Sequence, residues 1–153
     1  MKGMRRKDRS VTQKAAKSIL NIGEYGVLST VSDKGEPYGV PLSYCVIENS
    51  IYFHSAVDGE KIEHIEKNNK VSFCVVGETN VLPSKFSTEY ESVIIFGEVD
   101  EVHDVAKQKA LEELVHKYSP EFAEKGLAYI KESSIETRVF KISIKHLSGK
   151  TRK

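Results

Sequence analysis

The 153-residue chain is 39% hydrophobic and 29% charged, a globular composition that excludes wholesale disorder and fibrous classes and suits one domain, 1–153, rather than two. Its 23 Lys and Arg nearly balance its 22 Asp and Glu, leaving a formal charge of +1, so neither nucleic acid nor an anionic membrane is an expected partner. No run approaches the roughly 20 apolar residues of a bilayer span, and MKGMRRKDRS lacks the apolar stretch of a secretory signal; a cytoplasmic setting is expected.

Residues 1–10 form a basic arm, read as solvated or folded over a partner subunit. Ser10-Val11-Thr12-Gln13 has the form of a capping box, and Ala15, Ala16, Ile19 and Leu20 follow at helical spacing, which predicts a helix over 11–22 stopped by Gly23. From Tyr25 the texture becomes β-like: GVLSTVS, a turn at Asp33-Lys34-Gly35, YGVPLSYCVIE, a turn at Asn49-Ser50, then IYFHSA. In the second run Tyr38, Val40, Leu42, Tyr44 and Val46 share one face. Gly39, Pro41, Ser43 and Cys45 share the other, which is small and polar. Pro41 cannot donate to a ladder and calls for an edge, a bulge, or a place where something other than a strand meets the backbone.

A short helix follows Gly59, with Ile62 and Ile65 on one side and Asn68-Asn69 at its end. KVSFCVVGE reads as a fourth strand, and Thr79 to Glu91, with Pro83 and little periodicity, as a long loop. SVIIFGEVDEVH is a long strand with a bulge or bend at Gly97. Asp104 is expected to cap a helix with the stripe Ala110, Leu111, Leu114, Val115 and Tyr118, broken at Ser119-Pro120. A short helix over Phe122 to Ile130, a last strand over Thr137 to Leu147 and a basic tail at 149–153 complete the chain. Six strands joined mostly by tight turns predict a mainly β (α+β) fold, an antiparallel sheet curled into a six-stranded barrel with peripheral helices. GxGxxG is absent, which disfavours a Rossmann fold.

Cys45 and Cys74 lack CxxC spacing and read as core thiols, and no histidine sits in a metal-ligand spacing, so no protein-bound metal is expected. The informative stretch is Tyr52-Phe53-His54-Ser55-Ala56-Val57-Asp58-Gly59-Glu60-Lys61. A strand ends in small residues and enters a helix, which gathers free N–H groups, the Ser55 hydroxyl and the Lys61 ammonium in a manner suited to phosphate. The plainer reading is a turn capped by Asp58, with Lys61 solvated. With Ile51 and Phe53 facing a barrel interior, Tyr52 and His54 face the opposite surface, as interface or ligand platform. His54 is a candidate for proton transfer or for a structural hydrogen bond.

Taken together, MRRKDR, Leu28-Ser29-Thr30-Val31 with GEPYGVPLSY, IYFHSAVDGEKIEHIEKNNKVSFCVV and YESVIIFGEV resemble the pyridoxamine 5′-phosphate oxidase-related flavin-binding proteins, specifically their nitroimidazole-resistance branch, over nearly the whole chain. The resemblance implies an FMN-binding split β-barrel and a homodimer with one FMN at each of two inter-subunit sites. By the same resemblance Val40, Pro41, Leu42 and Ser43 line the flavin, and His54, Ser55 and Lys61 lie beside it with Lys61 near the phosphate. Tyr90, Glu91 and Ser92 approach it from the other subunit, and His54 matches the histidine set between flavin and substrate. It also implies an oxidoreductase passing electrons to a small acceptor such as a nitroaromatic, with NAD(P)H as a donor. Related barrels bind haem, so a non-catalytic flavin or haem carrier is the alternative, with His54, His64 or His146 as haem ligands. KISIKHLSGKTRK does not look like the Arg- and His-containing segment that holds substrate phosphate in true pyridoxamine 5′-phosphate oxidases, so vitamin B6 oxidation is not expected.

Overall fold

In the computed structural model, which describes residues 2–153 and so leaves Met1 of the basic arm outside, seven strands make one antiparallel sheet. They are β1 (Gly26–Val31), β2 (Pro37–Leu42), β3 (Cys45–Ile47), β4 (Ser50–Ser55), β5 (Lys70–Leu82), β6 (Ser87–Val102) and β7 (Arg138–Arg152), in the order β2-β1-β5-β6-β7-β4-β3. Four helices surround it: α1 (Gln13–Ile22), α2 (Glu60–Lys67), α3 (Asp104–Tyr118) and α4 (Ala123–Ser133). Among the described residues no helix is long and apolar enough to cross a membrane.

The mainly antiparallel sheet with peripheral helices matches the expectation, but the sheet has seven strands rather than six, and no ladder closes it into a barrel. The run from Tyr38 to Ile47 breaks at Ser43-Tyr44 into β2 and β3, which lie at opposite edges of the sheet. Two residues cannot span a flat seven-stranded sheet, so the sheet curls until its edges meet at this corner, with no ladder closing it. Pro41 accordingly sits on an edge strand, where its missing N–H costs nothing.

Curling gives the sheet one interior. Leu28, Phe53, Phe73, Ile95 and Ile142 are fully buried there, joined by Leu20 from α1 and Ile62 from α2. The outer face of β3, β4 and β7 is covered by α3 and α4 through a second cluster that includes Cys45, Leu111, Leu114, Ile130 and Val139. Burial pushes the Cys45 thiol up to about 12, which makes it a packing group rather than a nucleophile.

Tyr44 fixes the corner. It is fully buried, its hydroxyl donates to the Leu20 carbonyl, and its ring meets Phe73 edge-on with centroids 5.1 Å apart. Its N–H donates to the Tyr118 hydroxyl (3.1 Å), which itself donates to the Glu24 carbonyl (2.5 Å). The Lys117 ammonium donates to the Tyr44 carbonyl (3.0 Å) and stands 3.7 Å from its ring centroid. Gly23 ends α1 where a Cβ would collide with both Val75 and the Tyr44 hydroxyl.

Several local expectations change. Thr12, not Ser10, caps α1 by accepting from the Ala15 N–H (3.1 Å), and Asp104 opens α3 without a side-chain cap bond. Thr79 to Glu91 is no loop: β5 and β6 continue through it as a two-stranded ribbon turned at Pro83–Lys85, because ladder bonds need no alternation of side chains. Residues 149–152, read as a tail, belong to β7, and Ser10 bridges to Lys150 to tie the arm down. The bulge at Gly97 is present.

Tyr44→Phe removes the hydroxyl that satisfies the Leu20 carbonyl and is expected to lower unfolding free energy by about 1–3 kcal/mol in urea denaturation. A change within error would show that the corner is held by packing alone.

Candidate functional site

Strand alternation divides the end of β4. Phe53 and Ser55 turn into the interior, while His54 turns outward. Ser55 is 5% exposed, and among the described residues its Oγ is the one buried side-chain polar atom with no hydrogen-bond partner in the protein. Beyond it α2 begins at Gly59, whose φ of +149° suits glycine, with no side-chain cap on the first-turn N–H groups. Asp58 therefore does not cap the helix. Glu60 reaches toward His64 Nε2 (3.7 Å), which leaves Lys61 as the first-turn cation. The turn is clamped by Arg138, which donates to the Val57 carbonyl (2.9 Å), to Glu66 (3.3 Å) and in a fork to Glu101 (3.1 and 2.7 Å).

His54 is exposed by area, yet the protein packed against it withdraws water from the ring. That desolvation, and secondarily the Lys61 charge, hold its pKa below the ordinary value of 6.5, which favours the neutral ring at pH 7. His54 and Ser43 open together onto a cleft of about 330 Å³ between the sheet and the α3–α4 pair. The far wall includes Leu114, Tyr118, Tyr129 and Thr137. Sequence reasoning missed this wall: Tyr118 was legible only as part of a core stripe, and nothing linked α4 to His54.

On β2, Val40 and Leu42 pack toward the interior cluster, so only their backbone can meet a ligand outside. Pro41 faces outward at the end of a row that crosses five strands, Pro41, Val27, Cys74, Ile94 and Ser148. A neighbouring row is Gly39, Ser29, Ser72, Phe96 and His146. This surface is small and apolar, with Val76 53%, Ile94 45% and Phe96 41% exposed.

Tyr90 and Ser92 lie on β6, three strands and so roughly 15 Å across the sheet from Pro41, and further along the strand than Ile94, which shares Pro41's row. One chain thus brings Ser43 and His54 together and does not bring Tyr90, Glu91 and Ser92 to them. Glu91 has a local task, since its carboxylate accepts the Glu78 N–H (3.2 Å) at the β5 bulge. The Lys150 ammonium lies 5.5 Å from the Tyr90 ring centroid, and Lys150 foremost, with Arg9, lowers the phenol's pKa. Of the other histidines, His64 is buried with Nδ1 2.8 Å from Thr30 Oγ1, whereas His146 is exposed beside Phe96. Among the described residues no three His, Cys, Asp or Glu side chains gather as metal ligands.

A family model described as pyridoxamine 5′-phosphate oxidase matches residues 12–151. No curated protein matches the sequence significantly. Among solved structures the chain is similar to a candidate 5-nitroimidazole antibiotic resistance protein from Bacteroides thetaiotaomicron, with TM-score 0.75, 21% identity and 93% and 86% of the two chains covered. It is also similar to an FAD-binding protein from Mesorhizobium loti, with TM-score 0.68, 25% identity and coverage of 95% and 98%. A third is an FAD and heme binding protein from Mycobacterium smegmatis, with TM-score 0.77, 19% identity and coverage of 95% and 73%.

A lowered His54 pKa favours the folded state above pH 6.5, and that contribution is lost as pH falls through the lowered value. Lys61→Gln removes the charge but not the burial, so the His54 midpoint followed by NMR of its ring protons is expected to rise while staying below 6.5. A wild-type midpoint at or above 6.5 would contradict this environment.

Proposed function

The chain belongs to the pyridoxamine 5′-phosphate oxidase family, and from that premise we propose that it is an FMN-dependent oxidoreductase that passes electrons to a small acceptor such as a nitroaromatic. The observation that carries the flavin part is the pairing of an unpartnered buried Ser55 hydroxyl with an uncapped α2 N-terminus. Both are donors left without acceptors, and a phosphate supplies acceptors. Lys61 adds the charge, and Gly59 leaves open space above the turn. Bound FMN supplies reversible hydride and one-electron transfer. The chain's own contributions are to seat the phosphate at the turn, to back the ring with the small outward residues Gly39, Pro41 and Ser43, and to present a His54 imidazole whose ring N–H can hydrogen-bond to the acceptor as it is reduced. NAD(P)H as electron donor fits a cytoplasmic role.

We further propose that the working unit is a homodimer. The exposed apolar rows across β2, β1, β5 and β6 suit a second copy, and Tyr90, Glu91 and Ser92 would then complete the partner's site. The absent Arg and His segment argues against vitamin B6 oxidation. A haem carrier is the second reading, favoured by one observation: exposed His146 stands on the apolar surface next to Phe96. His64, held against Thr30, is a poor haem ligand.

Titration of the purified protein separately with FMN, FAD and haem decides among these. FMN is expected to bind with quenched fluorescence, and Lys61→Ala is expected to weaken it by about 1–3 kcal/mol, the size of a charge-assisted hydrogen bond. No flavin binding together with a stable Soret band would overturn the oxidoreductase reading in favour of the carrier.

A further inference from the structure

The cleft beside His54 differs in chemistry from the phosphate-suited turn at α2. Its lining includes no Asp, Glu, Lys or Arg, and desolvation of its one imidazole favours the neutral ring. Of the surrounding cations, Lys117 is committed to the Tyr44 carbonyl and ring and Lys107 to the Ser134 carbonyl at 2.6 Å, while Lys61, whose charge acts on His54, stands at the α2 turn outside the lining. A charged ligand would lose its hydration there without meeting an opposite charge in the lining.

The hydroxyls are also partly committed. Ser133 Oγ donates to the Tyr129 carbonyl (2.8 Å), and Thr137 Oγ1 donates to the Ser133 carbonyl (3.1 Å), so each offers a ligand only its lone pairs. Ser43, Ser119, Ser134, the Tyr129 phenol and the His54 ring remain as groups that can donate or accept. The floor of Leu111, Leu114 and Ile130 is apolar, and the Tyr129 ring stands at the rim, 69% exposed. At about 330 Å³ the cleft holds roughly ten non-hydrogen atoms, one ring with short substituents.

We propose that this cleft is the acceptor pocket, that it takes uncharged single-ring aromatic compounds, and that it rejects their carboxylated or phosphorylated counterparts. The assignment of the occupant as electron acceptor rests on the flavin reading; the selectivity for uncharged rings rests on the lining alone. Tyr129 acts as a specificity-determining residue by covering one face of the ring. Pyridoxamine 5′-phosphate, with its dianionic phosphate, falls outside the accepted class.

The matched pair 4-nitrobenzyl alcohol and 4-nitrobenzoate tests this, by isothermal titration into the protein with and without FMN. The alcohol is expected to bind at least ~30-fold more tightly than the carboxylate, the scale of leaving one charge unpaired. Tyr129→Ala, at an exposed position with little bearing on folding, should weaken the alcohol ~10-fold, and Ser134→Trp, which fills the cleft, should abolish its binding. FMN affinity should be unchanged in both variants. Equal affinity for the two probes, or unchanged alcohol affinity in Ser134→Trp, would overturn the pocket assignment even where FMN binds normally. Discrimination that persists in a protein unable to bind any flavin would instead keep the uncharged-ring site and overturn its role as an electron-acceptor site.

Discussion

Ser43 and Tyr44 have to join strands at opposite edges of a seven-stranded sheet, and that connection dictates the rest of the molecule. A sheet with its edges pinned two residues apart must curl, and curling creates a single interior for the inward side chains of β1 to β7. The corner residue is enclosed from all sides, so its polar groups need partners. The Tyr44 hydroxyl finds the end of α1, while its N–H and carbonyl find Tyr118 and Lys117 at the end of α3. One buried tyrosine therefore sets both the closure of the sheet and the position of the helix that walls the cleft.

The same geometry explains why the candidate site has two chemically separate parts. His54 and Ser55 are adjacent in sequence but point to opposite faces, so the outward residue meets the α3–α4 cleft and the inward one lies below the turn that starts α2. Arg138, paired to Ser55 across β4 and β7, holds this turn through the Val57 carbonyl and grips Glu101 and Glu66. A guanidinium is suited to this because its planar fork can serve several acceptors at once.

Much of this was legible in the chain. Alternation identified Ile51 and Phe53 as the interior positions of β4, the small outward residues of β2 marked an unusual surface, and the glycines at 35 and 97 marked a turn and a bulge. The break at Ser43-Tyr44 was hidden because alternation continues across it, and a corner changes direction without changing period. The ribbon over Thr79 to Glu91 was hidden for the opposite reason. None of it is buried on either face, so nothing selects a hydrophobic pattern, and its ladder is made of backbone. At the site, His54 and Ser43 stood out locally, whereas Tyr129 and Thr137 lie about eighty residues further on and meet them only through the packing of α3 and α4.

The near-neutral net charge has a local counterpart in how the cations are distributed. Arg138 is engaged by Glu101 and Glu66, Lys117 by the corner and Lys107 by a carbonyl, and each of these contacts holds an element in place. Lys61 has none of these attachments and sits in the first turn of α2, beside N–H groups without a cap. A cation without such attachments next to uncapped N–H groups favours an anion at the turn, while a cleft with no charged residue in its lining favours a neutral molecule. Because His54 borders the cleft and also feels the Lys61 charge, it is the residue through which the two parts can influence one another. An anion that neutralises Lys61 relieves one of the two causes that depress the imidazole pKa, so occupancy of the turn raises the fraction of His54 that carries a proton it can donate to an occupant of the cleft.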